Sequence, residues 1–431
     1  MFKKTVDYIN QYGLLKFVKK VPIFLASKIK QKLFNYTNVV PLSTSKIDNW
    51  YYSRFPNLLP LRVFTTPPNQ LRINLVTDSI NSGSLYGGVA TAIILSALLA
   101  ESKNANLRII TRTEIAKKNN FFKVLKANNI NYSENVDFPF ANIYDQDYEI
   151  DISSQDVFLT TSWWTTWSTI KSIPPEKIIY LLQEDERMFY PYGDEHLLCS
   201  QILSNKQIKF VVNTQLLMKH FNLENLSNIE LNGISFEPSF PNHSHNLFDN
   251  QNQKNKNKFL FYARPNNYRN LFYLGLKVIE DAVLKGIFDD SWEFIFVGKD
   301  IPVEMISKLL PSQSSTFYEN LSWSEYVELI RSIDLGFSLM YTPHPSYPPL
   351  DLAAVGAVVV TNEFGVKKDL AYYSKNIICK QADFDSLLEG LIEGITLSQN
   401  YKLRKLNFDE NNILKDWRVS FESVLMYLKE I

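Results

Sequence analysis

The stretch Phe259–Leu284 (FLFYARPNNYRNLFYLGLKVIEDAVL) decides the fold class of this 431-residue chain. Its first five residues, Phe259–Ala263, are apolar or aromatic, as in a strand that is buried on both faces of a parallel sheet. A polar loop follows, and Leu271–Leu284 then spaces its apolar residues as an amphipathic helix does. A strand, a loop and a helix in this order form one unit of a doubly wound α/β domain.

The same alternation continues on both sides of this unit. The other predicted strands are Arg72–Asp78, Leu107–Thr113, Asp156–Ser162, Lys177–Gln183, Ile208–Asn213, Trp292–Val297, Thr316–Glu319, Asp334–Met340 and Ala357–Thr361. The other clear helical patterns are Val89–Glu101, Trp323–Ile333 and Pro349–Val355. The alternation predicts two Rossmann-like doubly wound domains that face each other across a cleft.

The domain limits follow from changes in composition along the chain. The first domain is predicted at residues 71–236 and the second at 259–410, and the Asn-rich segment 237–258 between them is typical of a linker or surface loop. Residues 1–70 are predicted to form a basic, amphipathic N-terminal helical extension. We expect residues 411–431 to form a helix that crosses back to the first domain.

The charge balance excludes several classes of function. Lys+Arg and Asp+Glu both number 45, so no overall field favours a nucleic acid partner. The two cysteines, Cys199 and Cys379, cannot build a disulfide framework or a cysteine-based zinc site, which fits a reducing compartment. Neither a signal peptide nor a membrane-spanning stretch is visible, so we expect a cytoplasmic protein.

The first forty residues differ in composition from the rest. Eight lysines alternate with apolar residues there, and Asp7 is the single acid. A helix of this kind would lie on an anionic membrane surface, on the inner face of the cell membrane. The alternative is an amphipathic helix that packs on its own domain with solvated lysines.

Basic and acidic side chains follow the strands of the second domain. Arg264 and Arg269 leave the end of a strand, where two guanidiniums can bind a pyrophosphate, although both could also be plain surface residues. Lys299 follows the next strand. Asp351 lies in the predicted first turn of a helix, where it can accept hydrogen bonds from ribose hydroxyls or simply interact with the helix dipole. His344 has no second histidine at ligand spacing, so a metal is not expected.

Two segments of the first domain could face the same cleft. Gly87 and Gly88 form a strand-to-helix turn whose N–H groups could approach an anion, although an ordinary turn explains two glycines equally well. The segment Gln183–Pro191 (QEDERMFYP) follows a buried strand and could form a wall against a sugar. Trp164 could stack on a sugar ring or belong to the core.

With these motifs, the chain resembles the GT-B glycosyltransferases of the retaining glycosyltransferase 4 type, and among them the WsaF-type bacterial rhamnosyltransferases. The resemblance covers about residues 71–430 in the correct order. It rests on these pieces: Leu85–Thr91 (LYGGVAT), Gln183–Pro191, Ala263-Arg-Pro with Arg269-Asn, Glu319–Ser322 (ENLS) and Pro345–Asp351 (PSYPPLD).

The resemblance implies roles for particular residues. Arg264 and Arg269 would hold the donor pyrophosphate, residues 320–322 would lie against the thymine base, and Asp351 would bind the ribose. The full predicted donor set is Gly87, Gly88, Arg264, Arg269, Lys299, Asn320, Leu321, Ser322, His344, Ser346, Tyr347 and Asp351. The predicted sugar and acceptor wall is Gln183, Phe189, Tyr190 and Trp164, and the acids expected to position the acceptor are Glu184 and Glu186.

One departure from the family pattern bears on function. The wider family carries Glu-x7-Glu in the last loop, and here Pro343 and Asp351 occupy those two positions, with His344 and Ser346 as the nearest polar substitutes. The resemblance implies a metal-independent, retaining transfer of L-rhamnose from dTDP-L-rhamnose to a lipid-linked surface glycan. Two alternatives stay open: a transferase for another nucleotide sugar, and, because of Pro343, a non-catalytic module that binds a glycan or nucleotide.

Overall fold

The computed structural model describes residues 45–68, 70–81, 87–145, 147–241, 256–311 and 313–430. The membrane-surface prediction for residues 1–40 therefore lies outside the described residues, as do residues 242–255 of the predicted linker. None of the helices in the described ranges combines the length and the apolar character that crossing a bilayer requires.

The first half of the chain forms an α/β domain. Its strands are β1 (Val63–Thr65), β2 (Arg72–Thr77), β3 (Asn106–Thr111), β4 (Val136–Asp137), β5 (Ile150–Ile152), β6 (Asp156–Thr160), β7 (Ile178–Leu182), β8 (Lys209–Asn213) and β9 (Gly233–Phe236). Its helices are α1 (Lys46–Arg54), α2 (Gly88–Ser102), α3 (Lys118–Ala127), α4 (Trp163–Ile170), α5 (Asp194–Leu203), α6 (Gln215–Leu223) and α7 (Asn228–Leu231). The strands of its large sheet are apolar and buried on both faces, since helices cover each side.

The second half repeats this plan. Its strands are β10 (Asn257–Ala263), β11 (Trp292–Gly298), β12 (Ser315–Glu319), β13 (Leu335–Phe337), β14 (Val358–Asn362) and β15 (Ile377–Lys380). Its helices are α8 (Phe272–Leu284), α9 (Val303–Leu309), α10 (Trp323–Ile330), α11 (Tyr347–Ala354), α12 (Phe384–Gln399) and α13 (Tyr401–Asp409), and the chain ends in α14 (Trp417–Tyr427). All ten predicted strands form, which confirms the doubly wound α/β class.

Both large sheets are parallel and reverse their strand order once. The first has the order β4-β3-β2-β6-β7-β8-β9 and the second the order β12-β11-β10-β13-β14-β15. The reversal occurs between β2 and β6 in one sheet and between β10 and β13 in the other. Ligands of such sheets bind at the carboxyl ends of the strands beside these reversal points. Gly87 and Arg264, which follow β2 and β10, therefore lie where a ligand is expected.

The ends of several elements differ from the prediction. The N-terminal extension is not separate up to residue 70: Leu58 and Leu61 are buried in the first domain's core, and β1 pairs with β5. The predicted linker, residues 237–258, is too long at both ends. At its start, Phe240 donates its N–H to the Leu414 carbonyl, and at its end β10 already begins at Asn257.

The last helix begins later than residue 411. Asp416 caps α14 by accepting the Arg418 N–H, so the helix starts at Trp417. Trp417 and Phe421 of α14 pack into the core of the first domain, and the Trp417 indole N–H donates to Asn128. The C-terminal chain thus crosses from the second domain to the first.

Candidate functional site

Arg269 is fixed by a short turn at the carboxyl edge of the second sheet. Tyr268–Asn270 forms one 3-10 turn after β10, and the buried Asn270 donates its side-chain N–H to the Leu339 carbonyl at 3.0 Å. The Tyr341 N–H donates to the Arg269 carbonyl at 2.7 Å. These two bonds tie the loop after β10 to the loop after β13, so both sides of the reversal point form one rigid edge.

The Arg269 side chain reaches across the cleft to the first domain. Its guanidinium lies 3.3 Å from the Glu184 carboxylate and 4.3 Å from the centre of the Phe189 ring. Burial lowers the pKa of Arg269 and raises the pKa of Glu184, and their mutual attraction opposes both shifts. Arg264, half-buried nearby, repels Arg269 and further lowers its pKa. The structure therefore brings together four residues that the sequence analysis assigned to donor and sugar.

Tyr347 makes a second contact between the domains. Its hydroxyl lies 2.7 Å from the Thr91 hydroxyl and accepts a bond from the Asn213 amide at 2.9 Å. Its ring faces Gly87, whose φ of +66° is in the left-handed region that favours glycine, and a Cβ there would lie 3.8 Å from the ring. Burial raises the pKa of Tyr347 to about 12, so the phenol is neutral.

Gln183 braces the adjacent turn from within the first domain. Its amide donates to the Gly88 carbonyl at 2.7 Å, and a Cβ on Gly88 would lie 3.0 Å from the same nitrogen. The two glycines thus allow Gln183 and Tyr347 to approach the start of α2 closely. This packing gives a concrete reason for the glycine pair at the helix N-terminus.

His344 is neutral and buried in the loop between β13 and α11. Its Nδ1 accepts the Ser346 N–H at 2.9 Å, which requires the neutral ring to carry its hydrogen on Nε2. Burial, together with the positive charges of Lys367 and Arg269, lowers the pKa of His344 to about 3. Among the described residues, the Nε2 has no hydrogen-bond partner. The ring therefore holds a buried N–H donor close to two cations.

The prediction that Asp351 lies in the first turn of its helix is wrong. The helix α11 begins at Tyr347, because prolines 348 and 349 fit a first turn in which backbone N–H groups need no partner. Asp351 therefore falls in the second turn. It is buried and hydrogen-bonded to the Tyr326 hydroxyl of α10. Its proposed contact with a ribose stays a prediction.

Glu186 and Trp164 form bonds within the first domain. The Glu186 carboxylate accepts the backbone N–H of Trp163 at 2.7 Å and lies beside Tyr180. Burial raises its pKa to about 8. The indole N–H of Trp164 donates to Asp78 at 2.8 Å. The roles predicted for Glu184 and Glu186 towards the acceptor, and for Trp164 towards the sugar, stay predictions.

Tyr190 also contributes to the wall from its own domain. Its hydroxyl accepts the indole N–H of Trp163 at 3.1 Å, and its ring lies 6.3 Å from that of Phe189. Phe189 is 37% exposed, and the Arg269 guanidinium lies over its ring, so this aromatic residue is at the boundary between the two domains.

The remaining predicted donor residues lie at the ends of β11 and β12. Lys299 is exposed, and Asn320 is exposed with a φ of +58°. Leu321 packs on the core, and Ser322 caps α10 through a reciprocal pair of bonds with Glu325. The proposed role of residues 320–322 against the base stays a prediction, as does the proposed role of Lys299 in the donor site.

The buried state of Glu186 gives a pH-dependent prediction for stability. Because folding raises the pKa of this acid from about 4.5 to about 8, the folded state holds a proton that the unfolded state releases. Stability should therefore fall as pH rises from about 4.5 to about 8. Glu186→Gln should flatten this slope in urea unfolding curves recorded across that range, with Glu176→Gln at an exposed position as control. An unchanged slope in Glu186→Gln would contradict the assignment.

Four residues of this region escaped the sequence analysis. Thr91, Asn213 and Thr342 are small polar residues with no distinctive pattern around them. Lys367 follows β14 in the segment Phe364–Asp369 (FGVKKD). Its position directly after a strand is the same pattern that points to Lys299, and this pattern could have identified Lys367 from the sequence. Within the described ranges no group of three or more His, Cys, Asp or Glu side chains is placed to hold a metal ion.

Comparison with known proteins assigns both domains. The WsaF N-terminal domain matches residues 72–215, and the WsaF C-terminal domain matches residues 257–392. The O-antigen biosynthesis protein RfbC of Myxococcus xanthus is 26% identical over 253 residues, which are 56% of this chain and 18% of that protein. The chain thus spans less than a fifth of the length of this relative.

Solved structures show the same fold at low sequence identity. A glycosyltransferase from Rickettsia africae superimposes with a TM-score of 0.51 and 14% identity, over 84% of this chain and 100% of that one. Anabaena HepE in complex with UDP and glucose gives a TM-score of 0.58 and 11% identity, again over 84% and 100%. Because both WsaF domains match in order and together cover well over half of the sequence, the chain belongs to the WsaF family, and it has the GT-B fold.

Proposed function

We propose that this enzyme transfers L-rhamnose from dTDP-L-rhamnose to a lipid-linked surface glycan, with retention of configuration and without a metal. The observation that carries the proposal is the half-buried guanidinium of Arg269, which lies between the two domains with Arg264 near it. A departing nucleoside diphosphate needs such positive charge, and a guanidinium supplies it without a metal ion. The WsaF family match and the O-antigen relative support the sugar and the product class.

The chemistry follows from this arrangement. The bond between the anomeric carbon and the diphosphate oxygen breaks as the acceptor oxygen attacks from the same face of the sugar. Arg264 and Arg269 stabilise the charge that develops on the diphosphate. The acceptor hydroxyl gives its proton to the departing phosphate oxygen, so no side-chain nucleophile is required. Glu184 would position the acceptor sugar by accepting a hydrogen bond from another of its hydroxyl groups.

The acceptor side of the proposal rests on other observations. Phe189 is 37% exposed, so the uncovered part of its ring suits contact with a sugar, and its ring centre lies 4.3 Å from the Arg269 guanidinium. An acceptor held there would meet the donor at the arginine pair. A lipid carrier would also give the lysine-rich residues 1–40 a purpose, since a basic segment would hold the enzyme at the membrane where that carrier resides.

Calorimetric titration with dTDP, UDP and GDP tests the donor. We expect dTDP to bind at least about 10-fold more tightly than UDP or GDP, which corresponds to about 1.4 kcal/mol. Tighter binding of UDP would move the proposal to a uridine donor, a second candidate suggested by the UDP that Anabaena HepE binds in its structure. If none of the three binds, the non-catalytic alternative gains support.

A transfer assay tests catalysis separately from binding. Release of dTDP from dTDP-L-rhamnose should require the enzyme, increase with a rhamnose-containing glycan acceptor, and continue in EDTA. Loss of activity in EDTA that Mg²⁺ restores would contradict the metal-independent mechanism. Binding of dTDP without any release would indicate a module that binds the nucleotide but does not transfer its sugar.

A further inference from the structure

Lys367 is a lysine with no exposed surface, which is rare for this residue type. It lies in the turn after β14 that is closed by backbone bonds between Phe364 and Lys367. Its ammonium group donates to the Met340 carbonyl at 2.8 Å, and the Asn362 amide donates to the same carbonyl at 3.1 Å. The lysine thus contacts the loop that leads from β13 to His344.

The groups around this ammonium include more hydrogen-bond donors than acceptors. Arg269 and the Nε2–H of His344 are two further donors, and the charges of Lys367 and Arg269 both act on the His344 ring that lies near them. Among the described residues, the carboxylate that attracts Lys367 is Glu184, which comes from the other domain. Cys379 of β15 also faces the lysine, and burial raises the pKa of its thiol to about 11, so it adds no negative charge.

The electrostatics of the group are therefore unbalanced. Glu184 attracts both Arg269 and Lys367, and Arg264 adds further positive charge. Glu186 also lies near Arg269, but burial raises the pKa of Glu186 to about 8, so this acid is largely protonated at neutral pH. Burial lowers the pKa of Lys367 to about 8, although Glu184 attracts its charged form. A buried cation without a full counter-charge is costly, and an added anion that accepts several hydrogen bonds would remove that cost.

We propose that Lys367 is a third cation for the donor diphosphate, and that Glu184 is the counter-ion that the diphosphate replaces. The inference rests on the proposed function in one respect: the donor must carry a phosphate. A diphosphate carries more charge than one carboxylate and offers more acceptor oxygens, which suits Arg269, Lys367 and the His344 Nε2–H together. Before the diphosphate binds, Glu184 lies 3.3 Å from Arg269. When the diphosphate binds, Glu184 is released towards the acceptor.

Titration with inorganic pyrophosphate tests this proposal without assuming any nucleoside. Lys367→Met keeps the length and volume of the side chain and removes its charge. We expect it to weaken pyrophosphate binding about 10- to 100-fold, as for the loss of one charge-assisted contact. The matched control is Lys368→Met, because Lys368 is exposed and pairs with Glu363 on the surface. Equal pyrophosphate affinity in Lys367→Met and wild type would overturn the proposal.

Glu184→Gln provides a test in the opposite direction. Removing the competing carboxylate should tighten pyrophosphate binding about 3- to 10-fold, whereas a purely structural Glu184 would leave the affinity unchanged or weaken it. If Lys367→Met fails to fold, Glu184→Gln still tests the proposal, through the replacement of Glu184 by the diphosphate. Calorimetry in phosphate-free buffers of different ionisation enthalpy at pH 8 adds a third measurement: wild type should take up more protons on binding pyrophosphate than Lys367→Met does.

The two proposals fail separately. If pyrophosphate binds in a Lys367-dependent way but dTDP is not preferred over UDP and GDP, the phosphate site stands and the rhamnosyl donor is wrong. If dTDP is preferred but Lys367→Met binds pyrophosphate as well as wild type, the donor stands and the third cation is wrong.

Discussion

Replacing Arg269 with alanine should lower kcat/KM for dTDP-L-rhamnose by about 100- to 1,000-fold, or about 2.7–4 kcal/mol of transition-state stabilisation. The reason is the buried position of the guanidinium, where its charge is poorly screened by water and acts strongly on a departing diphosphate. The measurement is the initial rate of dTDP release with donor below its KM. Arg269→Lys should lose less activity, because it keeps the charge and loses only the forked geometry.

The surface arginine Arg62 provides the control for this experiment. It pairs with Glu149 at 3.2 Å, and both side chains are about 40% exposed, so Arg62→Ala should leave the rate within about twofold of wild type. Thermal unfolding of each variant separates a catalytic loss from a folding defect. A rate for Arg269→Ala within tenfold of wild type, in a protein that is folded, would sink the assignment of the diphosphate site.

Replacing Arg404 with methionine should destabilise the second domain by about 3–5 kcal/mol. The guanidinium is 1% exposed and bonds to the Asp334 carboxylate at 3.0 Å, and it also donates to the backbone carbonyls of Gly356, Ser398 and Ile333. Methionine fills much of the space but leaves the Asp334 carboxylate buried without its cation. Guanidinium chloride unfolding of the full chain, followed by intrinsic fluorescence, measures the loss.

Two further variants show whether the buried charge is the cause. Adding Asp334→Asn to Arg404→Met should recover part of the lost stability, because the asparagine carries no charge that would need a cation. Its amide oxygen can still accept the hydrogen bond from the backbone N–H of Lys258. Lys405→Met removes an exposed pair with Asp409 and should cost less than about 1 kcal/mol. Equal losses in Arg404→Met and Lys405→Met would contradict the proposed role of burial.

The sequence predicted the fold well because the signals for it are local. Buried parallel strands are short apolar runs, and helices repeat every 3.6 residues, so Phe259–Ala263 and Leu271–Leu284 were assigned almost to the residue. Short strands such as β4 and β15 were missed, since a few residues do not establish a pattern. The capping residue Asp416 set the start of the last helix, which apolar spacing alone placed six residues too early.

The sequence by itself determined that this chain forms two doubly wound domains and that arginines follow the first strand of the second domain. Both facts depend on neighbours along the chain. Only the tertiary structure decided which side chains share the cleft. Glu184 contacts Arg269, which is 85 residues away in the sequence, and Thr91 contacts Tyr347, which is 256 residues away. It also showed that Glu186 is buried within its own domain and that Lys367 and Arg269 both lie near His344. Such contacts depend on how two separately folded sheets are oriented, and residue spacing carries no information about that orientation.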